Sequence, residues 1–260
     1  LPDWSDVRRL DYTRSCSKFL AGILSGKHEG SISTLPLAYK QATRSHDFIK
    51  TVIEHFMQLA RDLNTLHQDT GKMIRLAIEP EPFCILETTL ETISFFEMMW
   101  DVADKNSCGD LVREHIGVCY DVCHQAVEFE DAGTAVRQMS TAGVRINKVQ
   151  ISCAIELDNP SDEKSRQALA TFAEPRYLHQ TFGRHPDGQI ICNTDLSQDL
   201  VLHPPPDWQE AEVWRVHFHV PVDADRLGPL RTTRPELIRA LQAIQQLPYE
   251  PHLEVETYTW

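Results

Sequence analysis

Short apolar runs alternate with amphipathic segments along most of this 260-residue chain, and this alternation restricts the possible folds more than any other feature. The run 116–121 has the length and composition of a buried strand. In contrast, the segment 45–68 repeats Phe48, Val52 and Phe56 at intervals of four, which predicts an amphipathic helix. Strands that alternate with helices are typical of an α/β fold with a parallel sheet.

The complete pattern predicts six strands, two fewer than an eight-stranded barrel needs, and an open doubly wound sheet is the alternative. The predicted strands are 30–38 (which runs into a loop), 73–79, 116–121, 148–154, 213–220 and 252–259. The predicted helices are 5–25 (capped by Ser5), 45–68 (ended by Gly71), 88–104, 131–142, 161–172 and 233–246 (capped by Thr233). The long Pro-rich segment 174–209 is predicted to be a functional insertion or a disordered segment, and we expect it to cover the C-terminal mouth of a barrel.

Composition and charge indicate the class of binding partner and the cellular compartment. The formal net charge of −13 argues against a nucleic-acid backbone as partner, which favours a small-molecule substrate. No apolar run has the length of a membrane span and no signal peptide is evident. The seven scattered cysteines indicate reduced thiols and predict a cytoplasmic location. The chain begins without Met and ends while an apparent strand continues, so we expect a processed, truncated or domain-level chain.

Several predicted strands end on residues that bind metals. The strand 116–121 is followed by the spacing Asp121-x-x-His124, which offers a carboxylate and an imidazole to one point. The alternative interpretation of this pair is an aspartate helix cap and a buried core histidine. The corresponding residues on the other strands are Glu79 with Glu81 close behind, Gln150, His217 and His219 on one face of a strand, and Glu254 with Glu256. Converging carboxylates and imidazoles predict a divalent-metal site, because without a cation such buried carboxylates would repel one another and have raised pKa values.

The segments "IEPEP", "YDVCH", "KVQIS", "RVHFHVPV" and "LEVETYTW" resemble the xylose-isomerase-like, or sugar phosphate isomerase/epimerase-like, TIM-barrel superfamily. More narrowly, they resemble the metabolite-traffic protein EboE family, which "GSISTLPLAYK", "EPRYLHQT" and "PLRTTRPEL" also fit. The resemblance implies one partial TIM-barrel domain over residues 1–260, with an insertion at about 174–209. It also implies that the first barrel strands and the last helix are missing from this chain.

The resemblance implies a role for each strand-end residue. The implied metal ligands are Glu79 (with Glu81 as competitor), Asp121, Gln150, His217, His219 and Glu256 (with Glu254 as competitor), and the implied catalytic residues are Glu79, His124 and Glu256. Gln150 departs from the superfamily, which usually has a histidine at this position, and the resemblance implies that the pair His217-x-His219 compensates. His179 is a further candidate ligand, with an ordinary loop histidine as the alternative interpretation.

These residues lead to a functional hypothesis with two alternatives. The first is a metal-dependent isomerase- or epimerase-like enzyme that uses Zn, Mn or Mg and acts on a small polyhydroxylated or secondary metabolite, in metabolite biosynthesis or export. The second is a non-catalytic protein that binds and carries such a metabolite. The third is a metal-dependent hydrolase similar to endonuclease IV. The sequence leaves the substrate and the oligomeric state open.

Overall fold

The computed structural model describes residues 2–26, 28–42 and 44–257, and the chain forms two compact units. Unit 1 consists of Leu1–Tyr120, Arg137–Val149 and Tyr249–Leu253. Unit 2 consists of Asp121–Val136, Gln150–Pro248 and Glu254–Trp260. The helices are α1 (Val7–Ile23), α2 (Phe48–Thr70), α3 (Thr89–Lys105), α4 (Gly109–His115), α5 (Val122–Val127), α6 (Ala132–Thr141), α7 (Glu163–Ala170), α8 (Gln198–Leu202), α9 (Pro206–Glu210) and α10 (Arg234–Ile244). The strands are β1 (Gly30–Thr34), β2 (Ile74–Ile78), β3 (Ile116–Asp121), β4 (Ile146–Ile151), β5 (Ile155–Leu157), β6 (Thr181–Arg184), β7 (Ile190–Asn193), β8 (Val213–Val216), β9 (Arg226–Leu227), β10 (Leu230–Thr232) and β11 (His252–Val255).

A sheet with the order β1-β2-β3-β4-β11 runs through the described residues of unit 1. The pair β1–β2 is parallel, with Gly30 opposite Ile74, and the pair β2–β3 is parallel, with Leu76 opposite Ile116. The predicted α/β fold with a parallel sheet is therefore confirmed. The five strands of this sheet do not form a complete barrel in the described residues, so the complete TIM barrel stays a prediction.

The helices of unit 1 begin and end where the sequence provides the necessary caps. Helix α2 ends at Gly71, whose φ of 69° is the left-handed conformation that glycine adopts without strain. Helix α3 begins with a capping box in which Thr88 and Glu91 bond each other's backbone N–H groups. Phe56 of α2 is fully buried, and its ring centroid lies 4.5 Å from that of Trp4. Burial of a side chain of this size stabilises the fold by roughly 1.5–3 kcal/mol.

The predicted cap of α1 is wrong by one residue. Asp6, not Ser5, precedes the helix, and its side chain accepts a hydrogen bond from the Arg8 N–H. The Ser5 hydroxyl instead donates to Asp3 Oδ1 at 2.7 Å. Ser5 is therefore already engaged with the residue before it, and the next polar side chain caps the helix.

Unit 2 contains a second sheet with the order β7-β6-β8-β5-β10-β9 in the described residues. Strand β8 pairs antiparallel with β5 on one side and with β6 on the other. The prediction that residues 213–220 form another parallel strand is therefore wrong in direction and in length, since β8 ends at Val216. The physical reason is that both edges of β8 are occupied by antiparallel neighbours.

The segment 174–209 is not an irregular loop. It contains the antiparallel hairpin β6–β7, followed by the short helices α8 and α9. The hairpin turns at His185-Pro-Asp-Gly188, where Gly188 has a φ of 90° and its N–H donates to the His185 carbonyl at 2.9 Å. The prediction of a disordered segment is wrong, and the expected position over a barrel mouth stays a prediction.

The remaining bounds differ from the predicted ones by a few residues, and α4, α5, β5, β9 and β10 were not predicted. The predicted strand 252–259 is observed as β11, and residues 258–260 lie outside the described residues. Thr233 precedes α10 as expected, but its hydroxyl accepts from the Ala154 N–H at 2.8 Å instead of capping the helix. No helix in the described residues is both long enough and apolar enough to cross a membrane.

Candidate metal centre

Asp121 is the last residue of β3 and the cap of α5, and it lies in unit 2. Its Oδ1 accepts three hydrogen bonds: from the Cys123 N–H at 2.7 Å, the His124 N–H at 3.1 Å and the Ser152 hydroxyl at 2.7 Å. The interpretation of Asp121 as a helix cap is therefore correct. Because one oxygen makes all three bonds, the cap leaves the second carboxylate oxygen available for another role.

The second oxygen, Asp121 Oδ2, is buried and accepts no hydrogen bond from the described residues. It lies 3.8 Å from His124 Nε2 and 3.9 Å from His219 Nε2. A buried polar atom without a hydrogen bond costs about 1–3 kcal/mol, and more when it is charged. Such an atom needs a compensating partner, which a cation would supply.

Three imidazole rings of unit 2 meet at their Nε2 atoms. His217 Nε2 lies 3.0 Å from His124 Nε2 and 3.0 Å from His219 Nε2. His217 and His219 follow β8 and are not part of it, so the predicted alternation along a strand is wrong, although the two side chains do converge. The backbone at this point is held by bonds from the His217 N–H to the Gln180 carbonyl at 2.9 Å and from the Val220 N–H to the Cys153 carbonyl at 3.0 Å.

Four of the six separations among these atoms can be compared with a tetrahedral metal site. Metal–ligand distances of about 2.0–2.1 Å imply ligand–ligand distances of about 3.3–3.4 Å in a tetrahedron. The separations of His217 Nε2 from the other two Nε2 atoms are both 3.0 Å, and those of Asp121 Oδ2 from the Nε2 atoms of His124 and His219 are 3.8 and 3.9 Å, on both sides of this value. Asp121, His124 and His219 also form one of the residue groups in which all potential ligand atoms lie within 4.8 Å of one another. His124, predicted to be catalytic, thus lies beside the predicted ligands Asp121, His217 and His219.

The electrostatics of the group favour a neutral His217 and an ionised Asp121. Burial lowers the pKa of His217 well below its ordinary value, and the other histidines lower it further. Burial also lowers the pKa of His219, although Asp121 opposes this shift. Burial raises the pKa of Asp121, but His124, His219 and the Ser152 hydrogen bond outweigh it, and the pKa lies below the usual value. The predicted raised pKa is therefore wrong for Asp121, because His124, His219 and the Ser152 hydroxyl outweigh the effect of burial.

Cys123 is a residue that the sequence reasoning missed. Its sulfur forms a second possible donor group with His217 and His219, again within 4.8 Å. Burial raises the pKa of the Cys123 thiol well above its ordinary value, and Asp121 adds to this effect. A thiol must lose its proton to bind a metal, so the group that contains Asp121 is the better donor set.

Glu256 lies at the edge of this group. Its N–H donates to the Ile151 carbonyl at 3.1 Å, and its Oε1 lies 3.9 Å from His219 Nδ1. Its side chain is 28% exposed, whereas Glu254 is an exposed residue of β11. This placement favours Glu256 over Glu254, the alternative that the sequence left open.

The other predicted ligands lie on defined elements, and their roles stay predictions. Gln150 is buried on β4, and its backbone carbonyl receives the Ser152 hydroxyl at 3.4 Å. Glu79 follows β2 in unit 1, where its N–H donates to the Thr34 carbonyl at 2.9 Å. Glu81, its competitor, lies in the turn after β2.

His179 is buried, but both of its ring nitrogens face oxygen atoms. Nδ1 lies 3.1 Å from the His217 carbonyl oxygen, and Nε2 lies 3.2 Å from Glu174 Oε1. Its backbone N–H donates to Asp195 Oδ1 at 2.8 Å. These contacts argue for a structural role, in which His179 supports the backbone of His217, over a role as ligand.

Arg215 of β8 joins the two elements that carry the histidines. Its Nη1 donates to the carbonyl of Ala126, in α5, at 2.7 Å. Its Nε donates to Glu156 Oε2 at 2.9 Å, and its Nη2 donates to Glu236 Oε1 at 3.2 Å. The guanidinium also lies 4.5 Å from the centroid of the Phe129 ring. Arg215 therefore fixes α5, which contains His124, against β8, which leads into His217.

Comparison with solved structures gives weak similarity. No protein-family model matches the chain, and no curated protein matches it. The chain is similar to the apo crystal structure of 3-keto-D-glucoside 4-epimerase from E. coli, with 15% identity and a TM-score of 0.34. The match covers 54% of this chain and 49% of the epimerase, so this chain spans about half of that protein's length. A similarity at this level supports no functional argument, and the site has to be interpreted from its own geometry.

Proposed function

We propose that unit 2 binds a divalent metal ion through His124, His217, His219 and Asp121, and that the protein is a metal-dependent isomerase- or epimerase-like enzyme. The observation that carries this proposal is the meeting of three Nε2 atoms with the buried Asp121 Oδ2, which accepts no hydrogen bond from the described residues. The substrate class is a small polyhydroxylated molecule, because such a molecule offers the oxygen atoms that a metal of this kind binds.

The donor set narrows the choice of metal. Imidazole suits Zn, Cu, Fe and Ni, whereas Mg and Mn prefer carboxylate, carbonyl and water oxygens. Three imidazoles and one carboxylate therefore favour zinc over magnesium among the metals that the sequence left open. Gln150 and Glu79 remain predicted ligands and would add oxygen donors.

The bound metal would polarise an oxygen of the substrate and so acidify the adjacent carbon. Asp121 keeps its second oxygen directed at the imidazoles because three donors hold the first. Glu256 is partly exposed beside His219, and we assign to its carboxylate the transfer of the proton at that carbon. Glu79 is the partner that the sequence predicts for this step.

The sequence resemblance supports a place in the biosynthesis or export of a secondary metabolite, and the EboE-like motifs are the basis of this part of the proposal. A carrier without catalysis is the second candidate, because Gln150 stands where the xylose-isomerase-like superfamily, which the sequence resembles, usually has a histidine. Both candidates bind the metal ion and a metabolite, but only the enzyme converts the metabolite into a product. The net charge of −13 argues against the nuclease alternative.

Metal analysis followed by a substrate screen tests the proposal. We expect one zinc ion per chain in the purified protein after equilibrium dialysis, and loss of this ion in His219→Gln. His203→Gln is the matched control, because His203 is an exposed histidine at the end of α8 in unit 2, and it should keep the ion. Absence of zinc from the wild type, or equal zinc in His219→Gln, would remove the metal centre.

The screen then separates the enzyme from the carrier. The zinc-loaded protein is incubated with a panel of aldoses, ketoses and their phosphates in deuterium oxide, and exchange at carbon is followed by NMR. An enzyme exchanges a carbon-bound proton in at least one member, and Glu256→Gln should abolish the exchange while keeping the zinc. A carrier binds a member of the panel without any exchange.

A further inference from the structure

His217 is the central ring of the metal centre. Its Nε2 lies 3.0 Å from the Nε2 atoms of both His124 and His219. The orientation of this one ring therefore determines whether the three nitrogens face a common point. Its other nitrogen, Nδ1, lies 2.6 Å from Oε1 of Gln180.

The contact between Gln180 and His217 determines where the imidazole proton lies. An amide oxygen only accepts hydrogen bonds, so Nδ1 of His217 must be the donor. A neutral imidazole has one N–H group, and with the proton on Nδ1 the lone pair is on Nε2. This is the form in which an imidazole binds a metal through Nε2.

Gln180 is held in place by the same residue that it orients. The His217 N–H donates to the Gln180 backbone carbonyl at 2.9 Å, so the backbone and the side chain of Gln180 both engage His217. The pairing of Thr181 with Val216 continues this arrangement into the β6–β8 ladder. Gln180 is only 3% exposed, so water does not compete for its amide oxygen.

We propose that Gln180 is a positioning residue of the metal centre, whose amide oxygen fixes the His217 tautomer and aims Nε2 at the other histidines. The inference rests on the proposed metal function for its consequence, but the tautomer itself is a property of the metal-free chain. The segment "EPRYLHQT" thus contributes Gln180 to the site, next to His179, the residue that the sequence singled out.

Three variants test the role of Gln180. Gln180→Met keeps the length of the side chain and removes the acceptor, whereas Gln180→Glu keeps an acceptor oxygen. Gln189→Met is the matched control, because Gln189 is an exposed glutamine in the β6–β7 turn of the same unit. Circular dichroism confirms that each variant is folded before it is used.

The first readout is the 15N NMR spectrum of the His217 ring in the metal-free protein. We expect the Nδ1–H tautomer in the wild type, in Gln180→Glu and in Gln189→Met, and a mixture of tautomers in Gln180→Met. An Nε2–H tautomer in the wild type, or an unchanged ring in Gln180→Met, would overturn the inference even if the protein binds no metal.

The second readout is metal affinity, measured by competition with a chromophoric chelator for Zn2+, together with the visible absorption spectrum of the Co2+ form. Loss of a group that orients a metal-binding histidine typically costs about 10–100-fold in affinity. We expect this loss and an altered Co2+ spectrum in Gln180→Met, and near-wild-type behaviour in Gln180→Glu and Gln189→Met. Wild-type affinity in Gln180→Met would refute a positioning role, whereas failure of the wild type to bind Zn2+ would refute the metal function instead.

Discussion

Replacement of Asp121 by asparagine separates the role of this residue in the metal centre from its role in the fold. Asparagine retains a carbonyl Oδ1 for the three donors that bond Asp121, and it is as good a helix cap as aspartate. It removes the negative charge from the oxygen that lies 3.8 Å and 3.9 Å from two histidine nitrogens. We therefore expect a modest effect on the metal-free fold and a large effect on metal binding.

The asparagine substitution should destabilise the metal-free protein. Burial raises the pKa of Asp121, but its neighbours outweigh this and hold the pKa below its usual value. The folded state therefore favours the carboxylate at neutral pH, and the asparagine variant should be less stable. Hydrogen bonds to a charged group are roughly twice as strong as neutral ones, so weakening three of them costs about 3 kcal/mol. Removal of the buried charge offsets part of this cost, which leaves a net loss of about 1–2 kcal/mol.

The effect on metal binding follows from linkage. At a free Zn2+ concentration of about 100 times the wild-type Kd, binding stabilises the wild type by about 2.7 kcal/mol. If loss of this anionic ligand weakens binding about 100-fold, the variant gains only about 0.4 kcal/mol at the same concentration. The difference of about 2.3 kcal/mol is measurable by urea unfolding with and without the metal.

Asp162→Asn is the control for this experiment. Asp162 caps α7 in unit 2 and accepts bonds from the Ser165 N–H at 3.0 Å and from the Ser165 hydroxyl at 2.6 Å. Its replacement changes a helix cap in the same way but leaves the histidines untouched, so Zn2+ should stabilise this variant as much as the wild type. Equal stabilisation of Asp121→Asn by Zn2+ would refute the assignment of Asp121 as a ligand.

Three further predictions follow from residues outside the metal centre. Iodoacetamide at pH 8 should modify the exposed Cys192 and leave Cys153 unmodified in the folded protein, because burial raises the Cys153 pKa to about 12. Mass spectrometry of a proteolytic digest identifies the modified thiols. Arg215→Met should lower the free energy of unfolding by about 1.5–3 kcal/mol in urea, because Glu156 and Glu236 lose their buried partner and keep only the more exposed Arg231 and Arg239. The exposed Arg226→Met should cost less than about 1 kcal/mol. The carboxyl of Asp6 should titrate at about pH 2 in 13C NMR, since hydrogen bonds from the neighbouring arginine lower its pKa from 3.8. The charge of Asp6 therefore stabilises α1 fully above pH 3.8, and this stabilisation is lost as the pH falls through about 2.

Each of these three predictions has a result that would contradict it. Rapid modification of Cys153 would show that the strand end is open to solvent. A cost for Arg215→Met no larger than that for Arg226→Met would show that the buried ion pairs do not stabilise unit 2. Titration of Asp6 near 3.8 would show that its arginine partner does not hold the carboxylate.

Local sequence signals predicted the parallel sheet and the positions of Asp121 and His124 at the end of β3. An apolar run that ends on Asp121 is visible in the sequence, and Asp-x-x-His places His124 in the first turn of the following helix. These features depend on residues within a few positions of one another. The Gly71 helix end is predictable for the same reason. The parallel pairing of β1 and β2 follows instead from the helix that separates the two strands in the sequence.

The second sheet depends on long-range pairing that the periodicity of the sequence does not reveal. Strand β8 looks like the other apolar strands, and only its two antiparallel neighbours set its direction and its end at Val216. Gln180 contacts His217 across 37 positions of the chain, because β6 and β8 are in register. Ser152 and Asp121 are likewise 31 positions apart. The Pro-Asp-Gly turn of the β6–β7 hairpin was a readable signal that the high polar content of the segment obscured.

The central claim is that His124, His217, His219 and Asp121 bind one metal ion. Its most direct test is the anomalous diffraction of crystals of the zinc-loaded protein, recorded on both sides of the zinc absorption edge. We expect an anomalous peak about 2.0–2.2 Å from the three Nε2 atoms and from Asp121 Oδ2. A zinc-loaded crystal whose only anomalous peak lies away from these four atoms, or which shows no peak at all, would contradict it.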